Sequence, residues 1–132
     1  MTEFQWPVRV YYEDTDSGGV VYYANYLRFM ERARTEWLRS LGFEQDELIE
    51  KQGVIFAVRS AKVDYLLPAR FNDQLLVTSR VIKAGRASLS IAQQILKENK
   101  TICDAVIKIA SLDAVTFRPA MLPSELYSIV SK

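Results

Sequence analysis

The sequence predicts an α+β domain in which one long helix lies on an antiparallel sheet. Three observations predict it. Tyr26, Met30, Ala33, Trp37 and Leu41 recur at helical spacing on one stripe, with Leu27 and Leu38 beside it. Beyond Gly53 the chain changes to long runs of β-type residues: Val54 to Leu67, Gln74 to Ala84, Ala87 to Leu96 and Thr101 to Phe117. The breaks between these runs are short and carry turn residues: Pro68 with Asn72-Asp73, then Gly85, then Glu98-Asn99-Lys100. Such short connections predict that successive strands are antiparallel neighbours.

Each element follows from its local pattern. Trp6 to Tyr12 alternates Val8 and Val10 with Arg9 and Tyr11, a strand whose Pro7 suits an edge. Glu13 to Gly19 is polar and glycine-rich, hence a turn. The helix then runs from about Tyr22 to Leu41, with Gly42 as its C-terminal stop. A short helix from Glu44 to Lys51 stops at Gly53, and Pro123 to Val130 predicts a terminal helix. Val106, Ile107, Ile109 and Ala110 place apolar residues on both sides of the last strand. One helix cannot cover both faces, so the pattern predicts association through a sheet face or edge.

Length and composition narrow the function. The chain has 132 residues, one domain's worth, with 49% hydrophobic and 25% charged residues. A formal net charge of +1 argues against a nucleic-acid partner. The single Cys103 excludes an internal disulfide or a CxxC site and, activated by no histidine, reads as a small buried apolar residue. No apolar run approaches the ~18 residues of a membrane span, and the N-terminus lacks a secretory pattern, so a cytoplasmic location is expected. The chain contains no histidine. That removes Ser-His-Asp and Cys-His catalysis and histidine-ligated zinc, and leaves carboxylates, Lys and Tyr as acid or base groups. No metal or cofactor is implied.

The stretch "EDTDSGGVVYYANY", Glu13 to Tyr26, concentrates the remaining chemistry. Carboxylates and glycines before a helix are usually turn and cap residues. The same arrangement also places a carboxylate beside the free N–H groups and partial positive charge of a helix N-terminus. Gly18 and Gly19 allow close backbone approach to a ligand. Asp14 is assigned to hydrogen bonding within the turn, Glu13 to solvent, and Tyr26 to the core. Glu31, Arg34 and Thr35 read as a polar helix face with an i,i+3 pair. Asp64, within an apolar strand, has no assigned role.

"RVYYEDTDSGGVVYYANYLRFMERARTEWLRSLGF" resembles the opening of the hotdog-fold acyl-CoA thioesterases, and "VDYLLPARFNDQL" resembles their middle strands. Within them the sequence is most similar to the Tol-Pal-associated (YbgC-type) group, with the 4-hydroxybenzoyl-CoA thioesterases as cousins. The resemblance implies a hotdog over residues 1–132: an antiparallel sheet wrapped round one long central helix. It implies hydrolysis of acyl-CoA, or of the same thioester on acyl carrier protein, in dimers or tetramers with sites at the dimer interface. It places the catalytic carboxylate at Asp16 and the carbonyl-polarising group at the backbone N–H of Tyr23. Gly19, Val20 and Tyr22 then line the substrate. Tyr23 stands where the Tol-Pal-associated group commonly has His, whereas the hydroxybenzoyl-CoA group has an aromatic pair there. "KAGRASL" supplies Arg86 and Ser88, with Lys83, at a hairpin similar to the one that binds the coenzyme A nucleotide in the hydroxybenzoyl-CoA group.

A thioester suits this inventory. Its thiol has a pKa of about 8.5 and leaves without a strong general acid. A carboxylate and an oxyanion donor are therefore the minimum machinery. Two rivals are a hotdog dehydratase, whose family relies on a histidine absent here, and a non-catalytic acyl- or partner-binding module of cell-envelope biogenesis.

Overall fold

A computed structural model describes residues 3–131. Its elements are β1 (Phe4–Arg9), a 3-10 turn (Tyr12–Asp14), α1 (Tyr23–Ser40), α2 (Gln45–Gln52), β2 (Val54–Tyr65), β3 (Gln74–Ala84), β4 (Ser88–Lys97), β5 (Lys100–Asp113) and α3 (Ser124–Val130). The strands form one antiparallel sheet in the order β1-β3-β4-β5-β2. With α1 packed on one face, this is the α+β hotdog arrangement expected from the sequence.

Strict alternation sets that face. Along β4, Leu89, Ile91, Gln93 and Ile95 are buried, and Cys103, Ala105, Ile107 and Ile109 are buried along β5. Their α1 counterparts are Tyr26, Phe29, Met30, Ala33 and Trp37, spaced three and four apart so that one stripe meets the sheet. Gln93 is the polar member of this core and is fully buried. Its Nε2 donates to Met30 O at 3.1 Å and to Ser79 Oγ at 2.9 Å, and its Oε1 accepts from Arg34 Nη1 at 2.9 Å. A satisfied amide of this kind costs little and fixes the position of the helix along the strand. The expected pairing of Arg34 with Glu31 is therefore replaced: the guanidinium turns inward to β4.

Three sequence expectations change. Successive strands β3, β4 and β5 are neighbours, but β2 pairs with β5 and does not touch β3. The connection from Leu66 to Asp73 carries the chain from one sheet edge past the start of α1 toward the other. It is held by Val21 N–H to Ala69 O at 2.8 Å and Val10 N–H to Asp73 O at 2.9 Å. Second, the first strand ends at Arg9, not Tyr12, because the Tyr11 N–H donates to the Asp14 carboxylate at 2.8 Å and the chain turns. Third, β5 ends at Asp113, not Phe117. The Asp113 carboxylate accepts from the Val115 and Thr116 N–H groups, and Phe117 adopts φ 59°.

The Tyr26 hydroxyl accepts the buried Ala69 N–H at 3.0 Å. Tyr26→Phe leaves that donor unpaired, and we expect a loss of ~1–3 kcal/mol in urea unfolding.

Candidate active site

The segment between β1 and α1 is a closed loop. Thr15 bridges Val21 at its base, and the Asp16 N–H donates to Val20 O at 2.9 Å. Asp14 anchors it from below. This carboxylate is buried and accepts from Tyr11 N at 2.8 Å and Asn25 Nδ2 at 3.0 Å, while its backbone carbonyl accepts the Tyr22 N–H at 3.0 Å. The assignment of Asp14 to turn hydrogen bonding holds, and it extends into the first turn of α1. Glu13 is exposed, as expected.

Asp16 sits on top of this loop, exposed. Its Oδ1 accepts the Gly18 N–H at 2.8 Å, which orients the carboxylate, and its Oδ2 has no hydrogen-bond partner among the described residues. The local geometry favours both glycines. A Cβ on Gly18 would stand 3.2 Å from Asp16 Oδ1, and Gly19 adopts φ 79°. Val20 pairs with Arg70 of the β2–β3 connection.

Helix α1 starts two residues beyond the bridge. Tyr22 is its N-cap but makes no side-chain cap bond, and among the described residues neither the Tyr23 nor the Ala24 N–H has a backbone partner. Two donors and the positive end of an 18-residue helix thus open beside the Asp16 loop. The Tyr22 and Tyr23 rings are exposed, 4.8 Å apart. The Tyr23 phenol, partial desolvation and the Asp16 charge all raise the Tyr22 pKa above its ordinary value. The Tyr22 phenol therefore stays neutral near pH 7.

An apolar groove of about 260 Å³ adjoins this helix start. Tyr23, Tyr26, Tyr65 and Leu66 line it, and Tyr65 stands edge-on to Tyr23 at 6.0 Å. The sequence reading missed Tyr65, Leu66 and Leu67. They lie forty residues downstream of the loop, and no local pattern ties a strand end to a helix N-terminus. Cys103, opposite Tyr65 in the ladder, is fully buried. Burial first, then the neighbouring Asp104, pushes its thiol up to about 11, so it is no nucleophile. Asp64 is exposed directly across from Asp104.

Arg86 and Ser88 are not brought to this site within one chain. Gly85 N–H donates to Ser88 O at 2.8 Å in the β3–β4 hairpin, which forms the end of β3 remote from the Asp16 loop. The intervening strand spans Gln74–Ala84, on the order of 30 Å at strand rise.

Known proteins share this architecture. The model of the thioesterase-like superfamily matches residues 10–130. An acyl-CoA thioesterase YbgC of Haemophilus influenzae is 42% identical over 123 residues, covering 93% of this chain and 90% of that protein. An acyl-CoA thioester hydrolase YbgC of Escherichia coli is 43% identical over 126 residues, covering 95% and 93%. The crystal structure of a probable thioesterase from Bartonella henselae superposes with a TM-score of 0.88 at 33% identity, over 92% of this chain and 100% of that one.

Asp14→Asn puts an amide where carboxylate oxygens accept hydrogen bonds. We expect it to lose ~1–3 kcal/mol in chemical denaturation.

Proposed function

The chain belongs to the thioesterase-like superfamily, and on that premise we propose that it hydrolyses acyl-CoA to a carboxylic acid and coenzyme A, with Asp16 as the reacting carboxylate. The observation that carries this reading is the oriented Asp16 beside the unpartnered N–H groups that open α1. The thioester carbonyl oxygen is received by the Tyr23 N–H, where charge develops as the carbonyl becomes tetrahedral. Asp16 either attacks the carbonyl carbon, expelling the thiolate and leaving a mixed anhydride that water cleaves, or it takes a proton from the attacking water. In both routes the thiolate leaves without a general acid, which is how a chain without histidine manages the reaction. Gly19, Val20 and Tyr22 form the near wall, and the groove by Tyr65 receives part of the substrate.

A second copy completes the site in this reading. Arg86 and Ser88 lie at the wrong end of their own sheet to meet a nucleotide whose thioester is at Asp16. β2 is a long edge strand, paired among the described residues only with β5, and Val58 and Tyr65 on it are exposed. Pairing of copies there in a dimer, with dimers joining into tetramers, is the assembly proposed. Among the described residues no helix is long and apolar enough to cross a membrane. Action in the cytoplasm beside the Tol-Pal system is proposed on the motif at Asp16.

Asp16→Asn is nearly isosteric and keeps an oxygen for the Gly18 N–H, so we expect a folded protein. Its kcat for thiol release should fall by at least ~10², because the carboxylate is gone while the helix donors remain. Near-parental kcat in folded Asp16→Asn protein would sink the assignment.

Arg86→Ala should raise KM for acyl-CoA more than it lowers kcat, and should spare acyl-pantetheine substrates that lack the nucleotide. The expected loss is ~0.2–1 kcal/mol for an exposed ion contact, larger if the contact is bidentate. Equal effects on both substrates would remove Arg86 from nucleotide binding.

A further inference from the structure

Val20 and Val21 form the arm that leaves the Asp16 loop for α1. On one side the arm meets its own loop, through the Thr15–Val21 bridge and the Asp16 N–H on Val20 O. On the other side it meets the β2–β3 connection. Val20 bridges Arg70, and the Val21 N–H donates to Ala69 O at 2.8 Å. The Tyr23 N–H follows the arm two residues on.

Ala69 and Arg70 lie outside any helix or strand. Such backbone keeps its place only through its contacts. The Ala69 N–H donates to the Tyr26 hydroxyl at 3.0 Å. The Arg70 N–H donates to Asp73 Oδ2 at 2.7 Å, and the Asp73 N–H returns to Arg70 O at 3.1 Å, which closes a tight turn. Lys97 Nζ reaches the same Asp73 Oδ2 at 2.8 Å. Lys97 is the last residue of β4, the central strand, where it pairs with Lys100 of β5. Exposed ion pairs contribute little, but both partners here are partly buried. A backbone donor and an ammonium also meet on one carboxylate oxygen, so both bonds are charge-assisted. Asp73 thus ties the flank of the Asp16 loop to the middle of the sheet.

We propose that Asp73 is a positioning residue for the thioester hydrolysis. Held by Lys97, its carboxylate places Arg70, Arg70 and Ala69 place the arm, and the arm sets the spacing between the Asp16 carboxylate and the Tyr23 N–H. This rests on the reading of Asp16 and Tyr23 as the reacting pair, and Asp73 itself touches no reacting atom in it. The two groups must meet one carbonyl carbon and its oxygen, and a displacement of about 1 Å can cost ~10²-fold in rate. Apolar contact in the groove is non-directional and tolerates the same displacement. Asp73 therefore acts on kcat and not on KM.

Steady-state kinetics of thiol release, beside amide hydrogen exchange, tests this. Asp73→Asn keeps the size and an acceptor oxygen but loses the charge; kcat should fall by ~10-fold or more while KM stays within ~2-fold. Lys97→Arg keeps the cation and should stay within ~2-fold of the parental kcat, whereas Lys97→Met should not. Leu126→Ala, a truncation of a buried α3 residue, controls for stability alone: its Tm should fall and its kcat, measured while folded, should not. Exchange reads the same contacts without turnover. In Asp73→Asn the Val21 and Asp16 N–H groups should exchange at least ~10-fold faster, while the Tyr11 N–H, held by Asp14, keeps its rate. Parental kcat in folded Asp73→Asn protein would overturn the proposal. So would a loss carried by KM, an equal loss of kcat in Leu126→Ala, or unchanged exchange at Val21. Failure of the hydrolase reading is seen separately, as near-parental kcat in Asp16→Asn, and leaves the exchange result to decide whether Asp73 places the arm.

Discussion

The buried Asp14 carboxylate is the constraint on which the candidate site depends. It holds the end of the first strand through the Tyr11 N–H and the first turn of the long helix through Asn25, while its own carbonyl takes the Tyr22 N–H. Between those attachments the chain has to make the Asp16 loop. That loop is short, closed by the Thr15–Val21 bridge, and turns through a positive φ at Gly19 that glycine adopts without strain. A buried carboxylate thus positions an exposed one. The buried one is satisfied by neutral donors and the exposed one by a single N–H, with one oxygen unbound.

The other half of the helix is held differently. Gln93 joins Met30, Ser79 and Arg34 through a fully buried amide, so α1 is located by polar contacts at its start and its middle, with apolar packing along the stripe between. Apolar packing alone tolerates sliding, because one Leu or Ile contact resembles the next. A buried amide with three partners does not, since any shift along the strand would leave polar atoms unpaired. The helix N-terminus consequently sits at a defined place beside the Asp16 loop. The same contact draws Arg34 inward.

A histidine-free site suits thioester hydrolysis for a thermodynamic reason. The departing thiolate is stable enough in water that the protein need not protonate it in the transition state. In the mechanism proposed, what remains is to supply a carboxylate and to stabilise the developing oxyanion, and backbone amides at a helix start can do the second without any special side chain. Tyr23, Tyr26 and Tyr65 line the apolar groove beside that helix start. Cys103 beneath them is held as an inert thiol by burial.

The sequence by itself determined the element types, the long helix with its buried stripe, and the family, through the runs from Arg9 to Phe43 and from Val63 to Leu75. These are local properties: helical period, turn residues and an unbroken motif survive in a one-dimensional reading. It also identified Asp14 as a turn residue and Tyr26 as core, because both are read from immediate neighbours. Only the tertiary structure decided that β2 leaves β3 for β5, that Tyr65 and Leu66 wall the groove, and that Arg34 points at Gln93 and not at Glu31. Each of these joins residues forty or more positions apart or depends on which side of a helix the sheet lies. Tertiary structure also separated Arg86 and Ser88 from Asp16 by the length of a strand. A strand is straight, so a hairpin at one end and a loop at the other cannot meet within one chain.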